Sequence, residues 1–231
     1  MSANHAIIPS LGQARLAGFL YLVIIVCGIG SEVFIRSGLI VDGDAAATAA
    51  NILESDGLFR LGFVADAIML LSDVAIAVLF YVLLKPVNQT LALMAAAFRL
   101  TQASILGFNL LNYYAAALLM NGTVYLNGLE LNQLQVLASL FLDLHSHGYD
   151  LGLIFFGLSN LILGYLLIRA DYFPSFFGYG LIAAALVYLA GSFTRFVFPD
   201  YAGLMEPLYL IPLLAELAFA LYLLVKGVRG H

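Results

Sequence analysis

Apolar residues in this chain gather into long unbroken runs and do not alternate with polar ones. Six runs stand out, over residues 16–35, 61–84, 91–120, 149–168, 176–198 and 208–225. A helix needs about 20 mostly apolar residues to cross the hydrocarbon of a bilayer, and these runs have that length. Lipid leaves backbone groups without water, so only helices and closed barrels span it. Barrel strands alternate over about ten residues, whereas these runs are continuous. The pattern therefore predicts an all-α, polytopic integral membrane protein. Its six transmembrane helices form one domain over residues 1–231. The third run is longer than a span requires and predicts a helix that tilts or projects. Pro86 and Pro174 punctuate the gaps, while Pro212 in the first turns of the sixth run predicts a kink. Arg15 precedes a full-length apolar run with no small-residue cleavage pattern, so the first run reads as a retained span.

The longer connections carry their own pattern. Residues 44–56 read as a short helix that Asp44 caps and Gly57 ends. The 121–148 connection holds Leu131, Leu134, Leu137, Leu140, Phe141 and Leu144 at helical spacing. That predicts a second short amphipathic helix lying along the membrane interface. Both fall on the same side of the membrane, so one face is elaborated.

Basic residues near the span ends give the orientation. Arg15, Lys85, Arg169, Lys226 and Arg229 fall on one side, and Arg36, Arg60 and Arg195 on the other. The bias predicts cytoplasmic N- and C-termini and places the elaborated face outside the cytoplasmic membrane.

Composition strengthens the membrane reading. Hydrophobic residues make up 63% of the chain and charged residues 10%, against roughly 25% charged in soluble proteins. A soluble fold of this size would leave apolar surface in water. The expected partner is membrane lipid. Net charge is −5 and the nine Lys and Arg are scattered, which excludes a nucleic-acid-binding stripe. Cys27 is the one cysteine, which rules out an internal disulfide and a multi-cysteine zinc site. No phosphate-binding loop, nucleophile elbow or haem attachment motif occurs. The sequence carries no signal for oligomeric state.

Polar residues inside the runs then draw attention, because lipid makes them expensive and they usually face the bundle. Asp66 and Asp73 share one face of the second run. Arg99, Gln102, Asn109 and Tyr113 share a face of the third. Antiparallel packing predicts an Asp73–Arg99 pair near mid-membrane, with Glu216 of the sixth run at similar depth. Such a set either ties helices together or builds a site for a charged ligand or proton. Asp150, Gly157, Asn160 and Gly164 share a face of the fourth run, and small residues there predict close helix packing.

A second constellation is D-x-H-x-H-x-x-D, formed by Asp143, His145, His147 and Asp150. Imidazoles and carboxylates are ordinary zinc ligands. His145, His147 and Asp150 are therefore metal candidates, with Asp66 within reach. On a continuous helix the two histidines diverge, and only a break such as one at Gly148 brings them together. Otherwise they are interfacial histidines, and Asp150 a helix-start acid.

The stretch SGLIVDGDAAATAANILESDGLFRLGFVADAIMLLSDVAIAVLFYVLLKPVNQTLALMAAAFRLTQASILGFNLLN resembles the DUF4386 family of bacterial membrane proteins, as does LIFFGLSNLILGYLLIRADYFPSFFGYG. The resemblance runs from about Arg15 to Gly227. It implies a multi-spanning bacterial membrane protein, and it assigns no catalytic residues to this chain.

Three functions follow as expectations. The first is a non-enzymatic bundle that binds a small or lipidic ligand in an outward polar pocket, with no cofactor. The second is a metal-dependent membrane hydrolase on the His145/His147 cluster, with zinc. The third is a small transporter or proton-coupled carrier using Asp73, Arg99 and Glu216.

Overall fold

A computed structural model describes residues 10–121 and 128–228, and every regular element among them is helical. Helix α1 (Leu11–Gly30) runs into a π-helical turn (Ser31–Arg36) and a last helical turn, α2 (Ser37–Leu39). After a loop come α3 (Ala45–Glu54), α4 (Asp56–Leu84) and α5 (Gln89–Met120). Helices α6 (Leu131–Arg169) and α7 (Ser175–Val197) follow. Two 3-10 turns then lead into α8 (Leu210–Val225). Six of these helical stretches are long and apolar enough to cross a membrane, and they coincide with the six runs. This is a multi-pass membrane protein.

The spans form a closed ring. Each packs against the spans before and after it in sequence, and α8 closes the ring against α1. Neighbours in the ring run antiparallel, so Ser10 and Val228, the first and last described residues, lie at one end of the bundle. That end is called the termini end here. The other is the loop end, where α3 sits. Bulky apolar side chains point outward, with Phe34, Phe108 and Leu71 each more than 70% exposed. A surface of this kind suits lipid and not water.

Local chemistry sets the helix ends. Asp44 Oδ1 accepts from the Ala47 amide at 2.9 Å and so starts α3. Asn88 Oδ1 does the same for α5 through the Leu91 amide at 2.9 Å. The break after α3 falls at Ser55, while Gly57 lies inside α4, so Gly57 does not end the short helix as expected. Pro212 occupies the first turn of α8, where helix amides have no intrahelical acceptor.

The amphipathic stretch after residue 130 behaves differently from its pattern. It is not a separate interfacial helix but the first part of α6, which runs unbroken for 39 residues. At 1.5 Å per residue that is about 58 Å, nearly twice the hydrocarbon thickness. Part of its apolar stripe packs on protein: Leu134, Leu137 and Phe141 lie against a core that Ala138 and Leu142 share with Ile52 of α3 and Ala116, Ala117 and Leu119 of α5, while Leu131, Leu140 and Leu144 stay exposed.

Two packing regions position the site. Towards the termini end, Phe219 of α8 sits amid Phe80, Phe173 and Phe177, with ring centroids 5.5–6.1 Å apart. Tyr21 packs edge-on to Phe80 and Phe219. This aromatic plug fills the termini-end half of the ring. On the far side α6 and α7 touch backbone to backbone. A Cβ on Gly164 would lie 2.6 Å from the Gly178 carbonyl oxygen and 2.7 Å from Ile182. Gly157 likewise sits against Leu189 of α7. The small residues on that face of α6 are thus packing residues, as the pattern predicted.

Gly164→Val should therefore separate α6 from α7 and destabilise the protein by at least about 1–3 kcal/mol, the usual range for overpacking. Gly38, whose Cβ position meets open space, is the control, and Gly38→Ala should change little. Unfolding in mixed detergent micelles measures both. Equal stability of the two variants would contradict the close crossing.

Candidate functional site

The ring encloses polar side chains in two layers. The first lies about 15 Å from the termini end, near the middle of a bilayer. Arg99 of α5 donates from Nε to Asp73 Oδ1 of α4 at 2.7 Å, and its Nη2 is 2.6 Å from the same oxygen. Gln102, one turn on, donates to Asp73 Oδ2 at 3.2 Å. Arg99 is 1% exposed. Rings of Tyr21, Phe80 and Phe156 surround its guanidinium at 5.3, 5.8 and 4.7 Å. An arginine in hydrocarbon needs a partner, and here it has a carboxylate and three aromatic faces.

Glu216 of α8 enters this layer from the opposite wall. It accepts from Asn160 Nδ2 of α6 at 2.8 Å and is hydrogen-bonded to Tyr188 of α7. No cation lies within ion-pair distance of it among the described residues, although it interacts electrostatically with Arg99. Side chains from all six spans thus meet at one depth. Two polar atoms here are buried without a hydrogen-bond partner among the described residues, Gln102 Oε1 and Asn160 Oδ1, while Tyr21 Oη is engaged by Arg99. Buried polar atoms left open in this way usually have water or an ion beside them.

The second layer lies nearer the loop end. The π-helical turn widens the first span and swings Arg36 inward. Arg36 Nη1 donates to Asp66 Oδ2 of α4 at 2.6 Å and to Ser31 Oγ at 2.8 Å, and its Nε donates to Glu32 at 2.7 Å. Across from them stands His145 of α6, with Nε2 4.0 Å from Asp66 Oδ2. Asn109 of α5 holds it by donating to its carbonyl oxygen at 2.7 Å. The Asn109 side chain occupies the space that a Cβ at residue 148 would need. Gly148 is thus a notch for Asn109 within an intact helix, and it does not break α6. Met69 and Leu106, both buried, separate the two layers.

The sequence candidates therefore divide. Asp73, Arg99 and Gln102 converge at mid-depth, and Glu216 joins their layer. Asp66, Asn109 and His145 build the layer nearer the loop end. His147 and Asp150 go elsewhere: His147 is exposed, with Nδ1 2.8 Å from the Asp143 carbonyl oxygen, and Asp150 pairs with Arg195 at 3.0 Å. The unbroken α6 keeps the two histidines apart. The described residues contain no group of three His, Cys, Asp or Glu able to hold a metal.

Four participants were missed. Arg36 reads in sequence as a loop-side charge, and nothing in its neighbours announces a π turn. Tyr21 and Tyr188 are two of 13 tyrosines in the chain, and nothing in their neighbours marks them as interior. Asn160 had a usable signal, its mid-depth position, but the glycines on its face gave it a packing role.

The whole ring is covered by one family profile, described as a domain of unknown function, which matches residues 16–227. The chain belongs to the DUF4386 family. A protein of Archaeoglobus fulgidus, described as "Uncharacterized protein", is 26% identical to this DUF4386 chain over 160 residues, spanning 69% of this chain and 80% of the relative. No solved structure matches the chain.

Asp73→Leu should destabilise the protein by about 3–5 kcal/mol, because it strands a buried arginine. Asp73→Leu combined with Arg99→Leu should recover most of that loss. Thermal unfolding in detergent gives the cycle, and a double variant no better than Asp73→Leu alone would show that the pair is not what holds α4 to α5.

Proposed function

We propose that the protein is a small proton-coupled carrier of the cytoplasmic membrane, with Glu216 as its proton-binding group. The observation that carries this reading is the mid-membrane layer. There a carboxyl with no ion-pair partner sits between an amide and a phenol, facing a fixed Asp73–Arg99 pair. Carboxyl groups held inside a membrane in this way are typical of proton relays in pumps and transporters. A charged pair that served only as glue would not need a third ionisable group or the open polar atoms around it.

The aromatic plug about Phe219 shuts the termini-end half, while the polar layers continue to the loop end at Glu32, whose side chain is 66% exposed. That asymmetry supports a state with access from the loop end alone. A carrier passes through such states by rocking one part of its bundle against another. The cavity beside Asp66 and His145 is about 10 Å³, the scale of one water.

The termini are proposed to face the cytoplasm. Arg36, Arg60 and Arg195 at the loop end each bind a carboxylate. At the termini end Arg15 meets the Val225 carbonyl oxygen, and Lys85 and Arg169 lie over tyrosine rings. Arg229 lies outside the described residues. Cations without an acidic partner are thus concentrated at one end, which supports retention of that end inside.

Two measurements test the reading. In a Cys27→Ala background, a cysteine at Ser55 should react with an impermeant maleimide in whole cells and one at Asn88 should not; the reverse labelling would invert the topology. In proteoliposomes with a trapped pH dye, the wild-type chain should dissipate an imposed pH gradient when its solute is supplied from a panel of small metabolites, and Glu216→Gln should lose that flux while remaining folded. Flux unchanged in Glu216→Gln would overturn the proton-binding role.

A further inference from the structure

The cavity between α4, α5 and α6 is lined by Asp66, Met69, Leu106, Leu110, His145 and Tyr149. Two polar atoms of this lining have no hydrogen-bond partner, Asp66 Oδ1 and His145 Nε2. Both residues are at least nine-tenths buried, at 3% and 5% exposure. Leaving either atom bare costs about 1–3 kcal/mol, yet they stand on facing helices across one small space. His145 Nε2 is 4.0 Å from Asp66 Oδ2, the oxygen that Arg36 already holds, and Oδ1 is the farther oxygen, so neither makes a direct bond to it. A single bridging molecule with two bonds of about 2.8 Å reaches across as much as about 5.6 Å, enough to join Nε2 to the farther oxygen of the same carboxylate. The volume, about 10 Å³, takes one water.

We infer that this cavity is a binding site for one water molecule, bonded to Asp66 Oδ1 and His145 Nε2, and that it is the loop-end loading station for protons. The choice of water over a cation follows from the charges. Asp66 already carries Arg36 on its other oxygen at 2.6 Å, so the pocket offers no spare negative charge. Water also fits the histidine. With Nδ1–H directed at the Asn109 carbonyl oxygen 3.3 Å away, Nε2 presents a lone pair. The water donates one proton to Nε2 and one to Asp66 Oδ1. A proton arriving from the loop end adds to the water, which passes another of its protons to Nε2 and is left unchanged. The charged groups that face His145 are Arg36 and Glu32 from the first span and Asp66 from α4, with the Asn109 carbonyl of α5 beside its ring. Tyr113 of α5 lies against the His145 ring at 5.2 Å. Tyr149 lies one turn further in, its hydroxyl donating to Met69 Sδ at 3.7 Å, between this station and Asp73.

The water site stands on its own geometry, and the loading role rests on the proton-carrier reading. Histidine-selective 15N NMR of the full chain in nanodiscs tests the first. Wild-type protein should give a cross peak between one slowly exchanging water and the His145 ring Nε2. Leu110→Phe, which fills the cavity with carbon, should abolish it while the His147 signal stays in place. A ring signal with no water contact in folded wild-type protein overturns the site. Proteoliposome flux tests the second. Loss of proton flux in Leu110→Phe and in His145→Gln, beside an active wild type, supports loading there. Full flux in both variants overturns the loading role and leaves the carrier reading standing, whereas a wild type inactive against every solute defeats the carrier reading and leaves the water site to the NMR result.

Discussion

An arginine at the centre of a membrane has few stable environments, and Arg99 occupies one of them. Its guanidinium needs a carboxylate, which Asp73 provides at 2.6–2.7 Å, and it needs walls that tolerate charge, which Tyr21, Phe80 and Phe156 provide. Those partners come from the first, second and fourth spans. One buried cation therefore fixes the relative depth of four helices. Helix association in lipid lacks the hydrophobic drive that water supplies, so polar contacts and close packing carry it. The crossing of Gly164 and Gly178 on the far side of the ring is the packing counterpart of this polar anchor.

The same constraint explains the division of the interior. Charge is confined to the middle and the loop end, and the termini-end half is closed by rings and aliphatic side chains around Phe219. A bundle held only by an ion pair could place it anywhere. Here two polar layers are stacked with Met69 and Leu106 between them. The layers share helices but not partners. Asp66 and Asp73, two turns apart on α4, bind different arginines from different elements. The buried face of the second span therefore carries two carboxylates, Asp66 towards the exposed Glu32 and Asp73 in the layer containing Glu216, with Met69 between them.

Much of this was legible in the sequence, for physical reasons. Six spans follow from apolar length, because lipid permits little else. The Asp73–Arg99 pair follows from depth and antiparallel order, and the helix start at Asp44 from its side chain. Other features depend on contacts that no local pattern encodes. The stripe of Leu134 and Leu137 has the same periodicity whether it meets lipid or α3, so its continuation into α6 could not be read from spacing. The turn at Ser31–Arg36 depends on what Arg36 finds when it swings inward. Gly148 shows the same limit: a glycine beside two histidines suggests a break, yet its missing side chain makes room for Asn109.

The histidines show how geometry redirects a motif. In sequence His145 and His147 are near equivalents, two positions apart. An unbroken helix sends one into the bundle and leaves the other exposed. Once separated, they belong to different chemistry. His147 keeps a bond to the backbone of its own helix, and its neighbour Asp150 is engaged by Arg195. His145 is gripped on one side by Asn109 and faces an open carboxylate oxygen on the other. A metal would need these groups drawn together by unwinding α6, which would also dislodge Asn109 and the packing of α5 on α6. A proton needs no such rearrangement, since it asks only for bases spaced a water apart. The structure already has that spacing between Asp66 and His145, and the demand that Arg99 makes on Asp73 keeps α4 at the depth where it occurs.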